Sequence, residues 1–159
     1  ESSLFEPYFD QCTRFSVVGF SYGAIEAFEY TLSCETRIDR LILLSPAFFQ
    51  YHQEDFKANQ LLLFKRKPLM YAKSFYDNVL FPSHEDISLY HAPLEIEPLK
   101  KLLYYQWSEE KLHSLRHQGI ALDVYVGSDD KICHSDEIIS FFCRYATVYT
   151  LSGKGHLLK

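Results

Sequence analysis

Glycine is scarce in this chain, at 6 of 159 residues. Few positions are therefore free to take left-handed or tightly crowded backbone conformations. Methionine and tryptophan occur once each, as Met70 and Trp107. No apolar run approaches the roughly 20 residues of a membrane-spanning helix, which excludes such a span. The four cysteines, Cys12, Cys34, Cys133 and Cys143, show no Cys-x-x-Cys spacing, and neither an Asn-x-Ser/Thr sequon nor a signal-peptide pattern accompanies them. Reduced thiols in a cytoplasmic protein are the expectation. Positive charge is also short: the net charge is −5 and the pI near 5.8, which argues against general nucleic-acid binding through phosphate neutralisation.

What is present is an ordinary globular composition, with 47% hydrophobic and 23% charged residues. The length suits a single domain spanning residues 1–159. Thirteen Phe, twelve Tyr and one Trp supply rigid apolar surface for a core or for the walls of a pocket. Basic residues cluster mid-chain at Lys57, Lys65, Arg66, Lys67 and Lys73, a candidate positive patch on an acidic protein.

Two of the rare glycines flank one serine, in Val17-Val18-Gly19-Phe20-Ser21-Tyr22-Gly23-Ala24. Gly-x-Ser-x-Gly alone recurs by chance in roughly one chain in twenty of this length at about 7% Gly, so its setting must decide. That setting is a Val-rich run over 15–19, a turn, and a helical pattern over Ala24–Cys34. A second run, Ile38–Leu44, stops at Ser45-Pro46, where proline removes a donor and restricts its predecessor. Together these predict a βαβ unit with a parallel sheet and right-handed crossovers.

Leu4, Phe5, Tyr8 and Phe9 form a helix-like stripe ahead of that unit. From about 48 to 107 the pattern is helical, broken by Pro68, Pro82, Pro93 and Pro98, and reads as a helical insertion. Ser108 opens a further helix with acids first and bases last, closed by Gly119. Ile120–Val126 and Ala146–Leu151 are the third and fourth strands, with Ser135 expected to cap the helix between them.

In parallel α/β sheets, chemistry gathers at the carboxyl ends of strands. Ser21 follows the first strand, Asp129-Asp130 the third and His156 the fourth. A serine hydroxyl needs a base to become a nucleophile, an imidazole can act as base and then acid, and a carboxylate holds the imidazole in the working tautomer. The two glycines answer the needs of a sharp strand-to-helix turn: the serine takes a strained conformation there, and side chains at Gly19 and Gly23 are expected to collide with the neighbouring helix and strand. His113 and His117 stand four apart on a helix, but Ser114 replaces the glutamate of His-Glu-x-x-His. No metal site and no cofactor are expected from them.

The chain resembles an α/β-hydrolase over nearly its whole length, on Gly19-Phe20-Ser21-Tyr22-Gly23, on Gly127-Ser128-Asp129-Asp130-Lys131-Ile132, on Gly155-His156 and on the order Ser, Asp, His. That resemblance implies a minimal α/β-hydrolase: a mostly parallel sheet, helices on both faces and a small helical lid at about 48–107. It also implies Ser21 as nucleophile, His156 as base and, through the Gly-x-x-Asp pattern, Asp130 rather than Asp129 as the acid. The backbone N–H of Tyr22 would be one oxyanion donor. A second donor would come from a loop upstream of Glu1, so about ten or more further residues, a strand ending in a Gly-containing loop, are expected there.

GFSYGAIEAFEY, LILLSPAFF and LLLFKRKPLMYAKSFYDNV are similar to the compact pimeloyl-acyl carrier protein methyl ester esterases of biotin synthesis. This implies hydrolysis of a methyl ester on an acyl chain carried by acyl carrier protein, with Lys65, Arg66 and Lys67 meeting the acidic carrier and Phe48, Phe49 and Phe64 lining the acyl channel. A general carboxylesterase or thioesterase on a small acyl substrate, and a non-catalytic ligand binder of the same fold, remain as alternatives.

Overall fold

The computed structural model describes Phe5 and residues 15–83, 85–86 and 94–159. Of the N-terminal stripe only Phe5 is among them, and it is buried; Leu4, Tyr8, Phe9, Cys12 and Pro93 lie outside the described residues. The described elements run β1 (Ser16–Phe20), α1 (Tyr22–Ser33), β2 (Arg40–Leu44), α2 (Glu54–Arg66), α3 (Pro68–Leu80), α4 (Ile96–Tyr104), α5 (Glu109–His117), β3 (Ala121–Gly127), α6 (Ser135–Phe142) and β4 (Thr147–Leu151). No described helix is long and apolar enough to cross a membrane.

All four strands are parallel and stand in chain order, β1-β2-β3-β4. Crossovers that all turn the same way and step in the same direction bring their helices to one face. That face buries Leu41, Leu43, Leu122, Val124 and Val126 against Ala24 and Phe28 of α1, Leu112 and Leu115 of α5, and Ile138, Phe141 and Phe142 of α6. The other face buries Ile42 and Leu44 against Phe5, Val79 of α3, and Leu157 and Leu158. Helices therefore cover both faces, which is why β1 to β3 are nearly continuous in apolar residues. The edge strand β4 is more exposed and carries Thr147 and Thr150. Each Phe sealed in the first core, Phe28, Phe48, Phe141 and Phe142, contributes about 1.5–3 kcal/mol by burial.

Local signals explain most boundaries. The Ser108 hydroxyl accepts from the Lys111 amide at 3.2 Å and starts α5, and Gly119, at φ 76°, follows its end. Ser135 behaves otherwise than expected. It is the first residue of α6, with His134 at the N-cap, and its hydroxyl donates to the Gly127 carbonyl. The side chain is spent tying the helix start to the end of β3, while Asp136 and Glu137 complement the helix dipole.

Among the described residues, the 48–107 stretch contains helices and no strand. It is rooted in the body at several points. The Trp107 indole donates to the Ala47 carbonyl at 2.9 Å, the Trp107 amide donates to Gln50 at 2.8 Å, and Val79 of α3 sits in the second core.

Candidate active site

Ser21 occupies the turn from β1 into α1 with φ 52° and ψ −116°, a left-handed φ that costs a non-glycine residue free energy. The turn is pinned on both sides of that strain. The Ser21 amide donates to Leu44 at 2.9 Å, and its carbonyl accepts from Ala24 at 3.1 Å and Ala47 at 3.2 Å. Tyr22, as the first residue of α1, has an N–H with no intrahelical partner.

The flanking glycines serve different purposes. A Cβ on Gly19 would stand 2.3 Å from the Gly23 carbonyl oxygen and 2.7 Å from Ala24 Cα, backbone atoms that cannot swing aside. Gly19 is what lets β1 and α1 press together. Gly23 corrects the sequence expectation of a collision, because a Cβ there meets nothing within 4 Å among the described residues. Gly19→Ala is therefore expected to destabilise the fold by about 1–3 kcal/mol. Gly23→Ala, near the start of a helix, should be neutral or stabilising by up to about 1 kcal/mol. Thermal unfolding of the two variants checks this, and equal effects would contradict it.

His156 arrives from the loop after β4. Its Nε2 lies 2.9 Å from Ser21 Oγ and its Nδ1 2.8 Å from Asp130 Oδ2. The imidazole and the Asp130 side chain are each only 1% exposed, and the ring packs on Phe20 at 5.1 Å. The other Asp130 oxygen accepts from the Ile132 amide at 2.7 Å and the Cys133 amide at 3.1 Å. Asp129 points elsewhere, to the Ser128 hydroxyl at 2.7 Å, and is exposed.

Two loops must meet for that arrangement, and glycine makes the meeting possible. A Cβ on Gly127 would stand 2.2 Å from the Lys154 carbonyl oxygen. The Asp129 amide donates to that same carbonyl at 2.8 Å, and the Gly153 amide donates to Ser128 Oγ at 2.8 Å. Gly155 in turn abuts the end of α3, where an added Cβ would fall 1.7 Å from the Phe81 carbonyl oxygen. Lys131 lays its ammonium over the Phe81 ring, 3.3 Å from the centroid. Residue 81 thus braces the histidine loop, a role that nothing in its sequence neighbourhood signals.

Ser21 opens on a cavity of about 550 Å³. A second cavity, of about 520 Å³, shares with it Tyr71 and Phe75 of α3 and Leu99 and Leu102 of α4. Carboxylates of Glu26 and Glu95 border the serine cavity, whereas Lys67 and Lys131 border the other. None of the four shared wall residues stood out in the sequence, where the stretch from about 48 to 107 reads only as a helical pattern broken by prolines.

The three phenylalanines expected to line a channel part company. Phe49 lines the second cavity. Phe48 does not: it is sealed in the core against Phe141, Phe142 and Tyr51. Phe64 is buried behind the cavity wall, edge-on to Tyr71 at 5.6 Å. Of the basic cluster, Lys65, Arg66 and Lys67 form an exposed ridge at the α2–α3 corner, next to exposed Leu69 and Met70. Lys57 is instead buried, its ammonium over the Tyr104 ring, and Lys73 is paired with Asp77 at 2.8 Å. The second oxyanion donor expected upstream of Glu1 falls outside the described residues.

No family profile and no curated protein sequence matches this chain. Solved structures do. The hydrolase olei00960 from Oleispira antarctica aligns at 13% identity over 90% of this chain and 58% of its own, with a TM-score of 0.69. MGS-M2, an alpha/beta hydrolase from a Medee basin deep-sea metagenome, aligns at 15% identity over 97% and 63%, with a TM-score of 0.65. Naproxen esterase from Bacillus subtilis aligns at 16% identity over 90% and 53%, with a TM-score of 0.58. The chain spans between about half and two thirds of the length of these proteins. At such identities the likeness concerns architecture, and with the parallel sheet and its helices it establishes that this chain has a minimal α/β-hydrolase fold.

Proposed function

We propose that this chain carries the catalytic site of a serine carboxylesterase working through an acyl-enzyme. The reading rests on the reach of one imidazole, 2.9 Å from a serine hydroxyl on one side and 2.8 Å from a buried carboxylate on the other. His156 Nε2 takes the hydroxyl proton as Ser21 Oγ attacks the ester carbonyl carbon. The oxygen that becomes negative meets the Tyr22 N–H. His156 then passes its proton to the departing alkoxide, leaving the acyl group on Ser21. A water activated by the same imidazole releases the acid and restores the hydroxyl. Asp130 keeps the Nδ1 proton in place and steadies the imidazolium that forms in each half-reaction.

For the substrate, the reading is the methyl ester of a pimeloyl chain on acyl carrier protein. The sequence similarity to such esterases motivates it, and the exposed Lys65-Arg66-Lys67 ridge supports it by offering an acidic carrier opposite charge. Helices α2 to α4 act as the lid, and their shared wall gives an extended acyl chain room to lie. The free thiols of Cys34, Cys133 and Cys143 suit a cytoplasmic setting. Methyl-ester cleavage should be compared on the free acyl ester and on the carrier-linked one. With Lys65→Glu and Arg66→Glu together, KM for the carrier-linked ester should rise at least about tenfold, while kinetics on the free ester stay put. Equal kinetics on both substrates in both proteins would remove the carrier assignment and leave the esterase one standing.

A further inference from the structure

A second cluster of chemically capable side chains lies apart from Ser21. His52 belongs to the loop between β2 and α2, His134 is the N-cap of α6, and Glu137 is in the first turn of that helix. One ligand atom from each lies within 4.8 Å of the other two. His52 Nε2 and Glu137 Oε2 are both shut off from solvent without a hydrogen-bond partner. Buried polar atoms left unpaired are costly and uncommon. Two of them, a basic nitrogen and a carboxylate oxygen, sharing one cluster with a second imidazole form a set that one cation would satisfy together.

The surroundings favour this. The His52 ring is held in place by Phe56, stacked at 4.4 Å, and by Phe49 at 5.6 Å. His134, its side chain 65% exposed, retains freedom to turn, and its Nδ1 lies 3.3 Å from Glu137 Oε1. The nearby cation Lys57 is drawn toward Glu54 at 3.9 Å and the Tyr104 ring.

We propose that His52, His134 and Glu137 bind a divalent transition-metal ion of the zinc class, with water as the fourth ligand. Two imidazoles and one carboxylate match the borderline-soft preference of such ions and the three-ligand, open-position geometry zinc adopts. Magnesium and calcium call for six or more ligands, mostly oxygen, and find one carboxylate here. Ligand bonds of about 2.0–2.2 Å draw the three donors closer together than 4.8 Å, and His134, the most exposed of the three, is the side chain with most room to move. The ion would tie the loop after β2 to the start of α6. His134 adjoins Cys133, whose amide donates to Asp130, so the same ion would also brace the loop presenting that carboxylate. The site stands whether or not the esterase reading does.

The test is titration of the metal-free natural protein with Zn²⁺, followed by calorimetry, by zinc counting after gel filtration and by thermal unfolding. One equivalent should bind and raise Tm, because a ligand that binds only the folded state stabilises it. His52→Ala and Glu137→Gln should each weaken binding at least about tenfold, and Glu137→Gln, which keeps the shape of the side chain, guards against loss of folding. His113 and His117 provide the control, being a helical i, i+4 pair on α5 outside the cluster: replacing both with Ala should leave the equivalent in place. Absence of binding, binding unmoved by His52→Ala and Glu137→Gln, or loss only in the His113/His117 variant would each overturn the proposal.

Discussion

Ser21→Ala is expected to lower kcat for ester hydrolysis on the order of 10⁶-fold, with the fold intact and KM within a few-fold of wild type. Only an oxygen is removed, so the cavity walls and the pinning bonds of the turn, all of them backbone, persist. What disappears is the proposed nucleophile, the hydroxyl 2.9 Å from His156 Nε2. Losing one member of a concerted serine-histidine pair forfeits nearly all the chemistry, since the imidazole then has nothing to deprotonate and only binding and oxyanion stabilisation remain. At about 1.36 kcal/mol per tenfold, this is about 8 kcal/mol of transition-state stabilisation. Hydrolysis of a p-nitrophenyl ester by the natural protein, with circular dichroism as the folding control, measures it. Unchanged activity would remove Ser21 from the mechanism, and inactivity of wild type and variant alike would favour a hydrolase-fold ligand binder.

Asp130→Asn is expected to cost kcat on the order of 10³–10⁴-fold, and Asp129→Asn no more than a few-fold. The asparagine oxygen can still accept from Ile132 and Cys133, as Asp130 Oδ1 does, so the loop should keep its shape. Its NH₂ then faces His156 Nδ1, which must accept rather than donate, and the ring proton moves to Nε2. An Nε2 carrying its own proton cannot take the one from Ser21. Asp129 is exposed and bonded to Ser128, so its charge is dispensable to the imidazole. Steady-state kinetics of both variants decide between the carboxylates, and a larger loss in Asp129→Asn would reverse the assignment.

Much of the architecture could be read from sequence because it rests on local backbone demands. Gly-x-Ser-x-Gly between a Val-rich run and a helical run announces a sharp strand-to-helix turn, and Ser21 does occupy one with a left-handed φ. The glycine that ends β3 and the aspartate three residues later belong to one loop, so the Gly-x-x-Asp pattern of the α/β-hydrolase resemblance could point to the carboxylate that lies beside His156. Strand ends were legible to within a residue or two for the same reason, with Pro46 and Gly119 marking where regular pairing or helix stops.

Side-chain direction outside regular elements was not legible. Phe48 and Phe49 are adjacent, but they follow Ser45 at φ 41° and Pro46, where neither strand nor helix periodicity applies. Nothing local distinguishes the ring that enters the core from the ring that lines a cavity. Gly23 misled for a related reason: the motif names two glycines, but among the described residues only the one beneath α1 is crowded by backbone. Lys57 looked like a member of the basic ridge until the helix turned it inward over Tyr104. The cluster of His52, His134 and Glu137 and the contact between Phe81 and Gly155 join residues far apart in the chain, and such meetings follow from tertiary packing rather than from any spacing.

The most direct test of the central claim is peptide mapping by mass spectrometry after treatment with a fluorophosphonate, whose phosphorus an activated serine oxygen attacks with loss of fluoride. One phosphonyl group is expected, on the peptide containing Ser21, and it should vanish in His156→Ala, where no base remains to take the proton. An adduct on another serine, labelling that survives loss of His156, or an unmodified natural protein would contradict the proposed chemistry.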